Sequence, residues 1–322
     1  MQMTFRDGCR LFLLCALLTG FCLVLGRMVH PVETETTAAG MVIAEGNGIR
    51  VLSGALDGYF DVTYTRSQLL KGTLPVVSPL HPLPADFPSP NARGVRKVVG
   101  AYLPALEETA LARDAIQALC DLQYDYALQG VRITRGAVSM AQQNEERRKV
   151  FENLLHTCSV EEAAEKSRQR EPAGGESEHQ LGLCFDLVWT EGAELGKGDM
   201  IACCDTGLWL KENMWQYGFI RRGAPEHRAH EENVCGNLHI RYVGVPHAAA
   251  MQAGNWCLEE YLNILRTYGC ITVQVEGQRG NCIYWLPLTH EDGITARLPS
   301  PYGDVSFDNM GGAVFTCTAP GA

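Results

Sequence analysis

"SEHQLGLCFD" (residues 177–186) sets His179 and Asp186 seven positions apart with Gly182 between them. Fifty-three residues beyond Asp186, "LHIRYVG" (238–244) offers His239 in a similarly apolar run. Zinc accepts imidazole nitrogen and carboxylate oxygen, and a hydrolytic zinc takes three protein ligands while keeping a fourth position open. His179, Asp186 and His239 supply that number if the strands bearing them are neighbours. Glycine at 182 suits a tight backbone between the first two. On spacing alone, the commoner reading is a structural histidine followed by a surface aspartate.

The rest of the chain bounds the choice. It has 322 residues, 46% hydrophobic and 20% charged, an ordinary globular composition long enough for one large domain or two modest ones. A net charge of −10, with no basic stripe, argues against nucleic acid as a partner. There is no HExxH helix and no GxSxG elbow, so a serine peptidase is poorly supported.

At the amino terminus, a short region with Arg6 and Arg10 precedes sixteen uncharged residues, "LFLLCALLTGFCLVLG" (11–26), closed by Arg27. That pattern predicts export, as a signal anchor or a cleaved signal peptide. Ten of the 13 cysteines lie beyond it, none in a CxxC pair, so disulfides are permitted but their connectivity is not readable. The expected organisation is a signal segment (1–27), a polar linker (28–57), a main domain (58–269) and a small β-rich C-terminal segment (270–322).

Within the main domain, "LLKGTLPVVSPLHPLP" (69–84) reads as a strand pair bounded by prolines. A helix ends at Gly130 and "VRIT" (131–134) follows as a strand. A second helix starts at Ser139, a plausible cap. "LGLCFDLVW" (181–189) reads as a strand, and "TGLWLKENMWQYGFI" (206–220) as a helix stopped by Gly218. "LHIRYVG" is a strand, and the helical stretch 246–269 breaks near Gly254. His227, His230 and His247 read as exposed loop or helix-start residues, Trp215 and Tyr242 as core, and Cys235 as structural or disulfide-bonded.

Three segments carry a resemblance to a known family. "SEHQLGLCFD" resembles the S-x-H-x-x-G-x-A-x-D motif of the VanY-type D-alanyl-D-alanine carboxypeptidases, with Cys184 where that family has a small residue. "WLKENMWQYGFIRR" (209–222) and "LHIRYVGVPHA" (238–248), followed by "CLEEYL" (257–262), resemble its later motifs in the same order. The likeness runs over roughly residues 65–268. It implies an α+β fold: a small antiparallel sheet bearing the zinc ligands, packed against helices, with the β-rich C-terminal segment beside it. It implies zinc held by His179, Asp186 and His239. It also implies a peptidoglycan stem peptide ending in D-Ala-D-Ala as substrate, met outside the membrane in a bacterial, Gram-positive envelope.

Two positions depart from the family. Its general base, three residues before the last histidine ligand, is Gly236 here; Glu231 and Glu232 lie eight and seven residues before His239. Its S-G-Y-R-S-x-x-x-Q segment reads "RGAVSMAQQ" (135–143), so that Gly136, Ser139 and Gln143 fit while Val138 replaces the arginine. Arg135 is the nearest cation in sequence, and Ser177, Ser139, Gln143 and Arg135 are the candidate substrate contacts. A zinc ion lowers the pKa of water it holds to about 7 without any base. A missing base costs proton delivery to the leaving amine, about 10² to 10⁴-fold. Glu176 or Glu178 is a possible replacement, although a strand through 177–186 would turn Glu178 away from His179. The function expected is thus an exported zinc D-Ala-D-Ala carboxypeptidase of impaired activity; the alternative is an inactive relative that binds wall peptides or a protein partner.

Overall fold

The structure, a computed structural model, describes residues 36–37, 40–54, 60–89, 92–94, 110–111, 113–126, 128, 131–189, 205–227, 229, 238–290 and 292–319. The apolar segment 11–26, His230, Glu231, Glu232, Cys235 and Gly236 lie outside them. Among the described residues, no helix is long and apolar enough to cross a membrane.

Fifteen strands are described: β1 (Thr36–Thr37), β2 (Gly40–Gly46), β3 (Ile49–Ser53), β4 (Phe60–Thr65), β5 (Arg93–Gly94), β6 (Ala110–Leu111), β7 (Val131–Arg135), β8 (Cys184–Trp189), β9 (Phe219–Arg222), β10 (Leu238–Tyr242), β11 (Cys270–Val275), β12 (Asn281–Pro287), β13 (Gly293–Leu298), β14 (Asp304–Phe307) and β15 (Gly312–Thr318). Seven α-helices accompany them: α1 (Arg66–Leu69), α2 (Arg113–Asp125), α3 (Met140–Leu154), α4 (Val160–Arg170), α5 (Asp205–Asn213), α6 (Val245–Gly254) and α7 (Leu258–Tyr268). The site sheet has four antiparallel strands in the order β7-β8-β10-β9. A larger antiparallel sheet runs β1-β2-β3-β11-β12-β15-β14. The mixed α and antiparallel β architecture expected from the sequence is present.

Local chemistry explains the boundaries near the site. Ser139 accepts a hydrogen bond from the Gln142 amide and opens α3. After α5, a 3-10 turn (Met214–Tyr217) ends at Gly218, φ 79°, as the sequence predicts. A side chain there would also strike the Gly244 backbone at 2.9 Å. Helix α7 buries Leu258, Tyr261, Leu262 and Leu265, an i, i+3, i+4, i+7 stripe. That stripe joins Ile49, Val51, Ile271, Val273 and Ile283 of the large sheet and Ala248–Met251 of α6 in one core. Burial of one such aliphatic side chain contributes about 1.5–3 kcal/mol.

Three expectations change. Residues 40–53, read as linker, are strands β2 and β3, and β3 pairs along β11 from Ile49↔Val275 to Ser53↔Ile271. The C-terminal strands therefore complete a sheet begun at the other end of the chain, and they share a second core with the site sheet: Phe185, Leu187 and Ile240 cluster with Tyr284, Phe307 and Phe315. Residues 69–84, expected as a strand pair, form no strand; Leu69 ends α1, and the backbone beyond it is bonded to neighbouring side chains and loops.

Candidate metal centre

The central pair of the site sheet places the three ligand candidates. β8 and β10 are antiparallel neighbours with His239 directly opposite Asp186, so both side chains leave one face of the sheet. His179 arrives from just before β8, but not on a strand. Residues Glu178–Leu181 form a 3-10 turn capped by Gly182 at φ 71°, and the strand begins only at Cys184. This left-handed glycine folds the chain back so that His179 stands over Asp186.

His239 Nδ1 lies 2.6 Å from Asp186 Oδ1, and His179 Nε2 lies 3.4 Å from the same oxygen. The imidazole rings meet edge to face with centroids 4.9 Å apart. One nitrogen from each histidine and a carboxylate oxygen come within 4.8 Å of one another. Tetrahedral zinc bonds of about 2.0–2.2 Å put neighbouring ligand atoms roughly 3.3–3.5 Å apart, so the donor set and spacing fit such an ion after a small opening of the His239–Asp186 contact. The His239 side chain is 2% exposed, whereas His179 and Asp186 keep 9% and 12%, so access to the group is from their side.

Each histidine is held by its other nitrogen. His179 Nδ1–H donates to the Gly136 carbonyl at 2.8 Å, while the Val138 amide donates to the His179 carbonyl. His239 Nε2 lies 3.2 Å from Glu178 Oε2. Burial pulls the His179 pKa down against the Asp186 hydrogen bond, keeping the ring neutral as a ligand requires. Burial raises Asp186, but the two histidines outweigh it and hold the carboxyl below its usual range.

Glu178 was expected to point away on a strand. It lies on the 3-10 turn instead of a strand, and its carboxylate meets the side of His239 away from Asp186. The carboxylate is 3% exposed; it accepts hydrogen bonds from Arg222 and Arg241, whose Nη1 donates to Oε1. Burial pushes Glu178 up, yet Arg222 and Arg241, helped by His239, hold it well below the carboxylate range. Arg222 also grips Glu259 of α7 through two bonds of 2.7 Å, and Arg241 donates to the Thr73 and Pro75 carbonyls at 2.9 and 2.8 Å. This ionic chain is what the sequence reading missed; "FIRR", "HIRY" and "CLEEYL" held its members, but only the folded sheet shows that they converge.

The candidate substrate contacts are already engaged. Ser139 caps α3, and Ser177 is buried at the start of the 3-10 turn. Gln143 donates to Glu171 at 2.6 Å and to the Pro172 carbonyl, and accepts from Arg135. Arg135, opposite Asp186 in the β7–β8 register, pairs with Glu146 and Glu171. Glu176 accepts from the Ala173 amide at 2.7 Å and faces Arg147.

The other histidines divide. His227 is half-buried beside Glu260 at 3.1 Å, and with Cys257 these form another group of ligand-type atoms. That group's bonds are those of the α7 cap, with the Cys257 amide donating to Glu260 at 2.9 Å. His247, read as exposed, is buried in α6.

The chain is similar to several known proteins. The family model for VanY, D-alanyl-D-alanine carboxypeptidase, matches residues 108–245. A D-alanyl-D-alanine carboxypeptidase of Enterococcus faecium is 36% identical over 143 residues, which is 44% of this chain and 44% of that protein's own length. A protein of the same description from Enterococcus faecalis is 26% identical over 264 residues, 78% of this chain and 87% of that one. The crystal structure of the vancomycin-resistance D,D-dipeptidase VanXYg, in complex with a D-Ala-D-Ala phosphinate analogue, shares the fold. Its TM-score is 0.63 at 20% identity, over 80% of this chain and 98% of that one. The matched segment spans the histidines, the aspartate and the sheet that brings them together, and over it the chain is similar to the VanY D-alanyl-D-alanine carboxypeptidases.

Proposed function

We propose that this chain is an exported VanY-like protein that holds zinc with His179, Asp186 and His239, receives the D-Ala-D-Ala end of a peptidoglycan stem peptide, and hydrolyses it slowly. The observation carrying this reading is the convergence of the three donors on one face of β8 and β10. The names of the enterococcal relatives and the phosphinate ligand of VanXYg support the substrate class. The apolar run 11–26 supports export to the cell envelope, by anchor or cleaved signal.

A zinc ion here would polarise the scissile carbonyl and acidify the attacking water. The residues do the rest: the β8–β10 pair fixes Asp186 opposite His239, and the 3-10 turn sets His179 above them. Proton transfer is the weak step. Glu178 is committed to two arginines on the side of His239 away from Asp186, and Glu176 to Ala173 and Arg147. The family's base position is Gly236, and Val138 stands where the family has arginine. These same facts favour the second reading, a binder of wall peptides without turnover.

The test is D-alanine release from a pentapeptide ending in D-Ala-D-Ala, using protein of measured zinc content with a His239→Ala control. Slow release that disappears in the control supports the first reading. Stoichiometric zinc with peptide binding but no release supports the second, and protein that takes up no zinc sinks both.

A further inference from the structure

Why a buried glutamate should be matched to two buried arginines beside a metal centre is not answered by stability. Taking several charges out of water is costly, and a well-packed apolar cluster does as well or better. The arrangement points instead at what Glu178 touches. His239 has two nitrogens: Nδ1 faces Asp186 at 2.6 Å and Nε2 faces Glu178 at 3.2 Å. Imidazole offers a metal one lone pair only if the proton is on the other nitrogen, and the acceptor at that other nitrogen decides which one it is.

We infer that Glu178 is the positioning residue of the metal centre, holding the His239 Nε2–H so that Nδ1 is the nitrogen presented beside Asp186. The inference rests on the proposed zinc site but makes a separate claim about it. Arg222 and Arg241 have the role of aiming the carboxylate: each donates to it from a different strand, β9 and β10. They are themselves anchored, Arg222 by the two bonds to Glu259 and Arg241 by the Thr73 and Pro75 carbonyls. With every member 4% exposed or less, water is poorly placed to substitute for the carboxylate. His179 gets the equivalent service from a backbone group, the Gly136 carbonyl. The two ligands are thus presented through opposite nitrogens, Nε2 for His179 and Nδ1 for His239, and each choice has its own acceptor.

The experiment uses the full ectodomain labelled with ¹⁵N at histidine. In zinc-loaded protein, long-range ¹H–¹⁵N spectra are expected to show the His239 proton on Nε2 and metal-type shifts at Nδ1. A proton on Nδ1 would overturn the inference. Zinc affinity is then compared by chelator competition in wild type, Glu178→Gln and Glu178→Ala. Gln keeps an acceptor for Nε2–H, so it should hold the Nε2–H form and bind more tightly than Ala, whose loss is expected at about 10 to 100-fold. Circular dichroism at each point separates lost ligand geometry from lost fold. Equal zinc affinity in wild type and a folded Glu178→Ala removes the positioning role. Should both variants unfold, the wild-type spectrum still decides. Wild type that binds no zinc refutes the zinc reading itself; the inference then falls with it, by a result distinct from a wrong tautomer.

Discussion

His247 shows how far a residue's environment can depart from its place in the chain. It is the third residue of α6, yet its Nδ1 pairs with the Tyr261 hydroxyl at 2.8 Å and its Nε2 with the Thr316 hydroxyl at 3.1 Å. Burial pulls its pKa down to about 3. The unfolded chain then binds a proton below about pH 6.5 that the folded chain refuses until about pH 3. Stability from this group is complete above pH 6.5 and falls with pH across that window, by up to about 1.4 kcal/mol per unit. Urea unfolding between pH 7 and pH 4 should show wild type losing stability faster than His247→Gln; parallel curves would contradict the buried neutral histidine. Two further residues bear on chemistry. Restoring Glu at Gly236 and Arg at Val138 together should raise D-alanine release by about 10² to 10⁴-fold if the missing groups limit turnover. No gain, in protein whose zinc content is unchanged, would place the limitation elsewhere.

Among elements, β9 and α7 are joined by a buried ion pair. Replacing Arg222 by Met would leave Glu178 and Glu259 buried with Arg241 alone, and should cost about 3–5 kcal/mol in urea unfolding. Adding Glu259→Met to that variant should restore part of the loss; no recovery would mean the strand depends on Arg222 for shape rather than charge. This pairing also marks the limit of what the sequence discloses. The stop at Gly218, the Ser139 cap and the apolar stripe of α7 follow from local rules, and each is where those rules put it. That His179, Asp186 and His239 would come together was legible because the order of the motifs bearing them survives in the chain. The 3-10 turn at Glu178–Leu181 was not, since the four residues EHQL are too few to show a helical or strand period, and only the left-handed Gly182 marks the turn. Strands β2 and β3 form a local hairpin across Asn47–Gly48 that the sequence reading passed over, and the sheet they belong to is closed by β11, which pairs with β3 from more than 200 residues away.

For the molecule as a whole, the stretch from Thr73 to Val76 links the site sheet to the large sheet. On one side Thr73 and Pro75 accept from Arg241, and the Thr73 hydroxyl donates to the Val243 carbonyl at 2.8 Å. On the other, the Leu74 amide donates to the Ser306 hydroxyl at 3.0 Å and the Val76 amide to the Asp308 carbonyl at 2.9 Å. Asn309 Nδ2 adds bonds of 2.9 Å to the Val76 and His81 carbonyls. Asn309→Ala removes the donor to those carbonyls and should lower stability by about 1–3 kcal/mol; a change below 0.5 kcal/mol would show water replacing the amide. The arrangement has a consequence for heredity as much as for mechanics. A family that exchanges its terminal pieces between relatives can do so only where the pieces meet through few contacts. Here a recombinant carrying a foreign tail after residue 269 would have to match the β2–β3 hairpin and the backbone from Leu74 to His81. The ends of this chain are therefore expected to have been inherited together, and chimaeras that split them to fail at folding before they fail at catalysis.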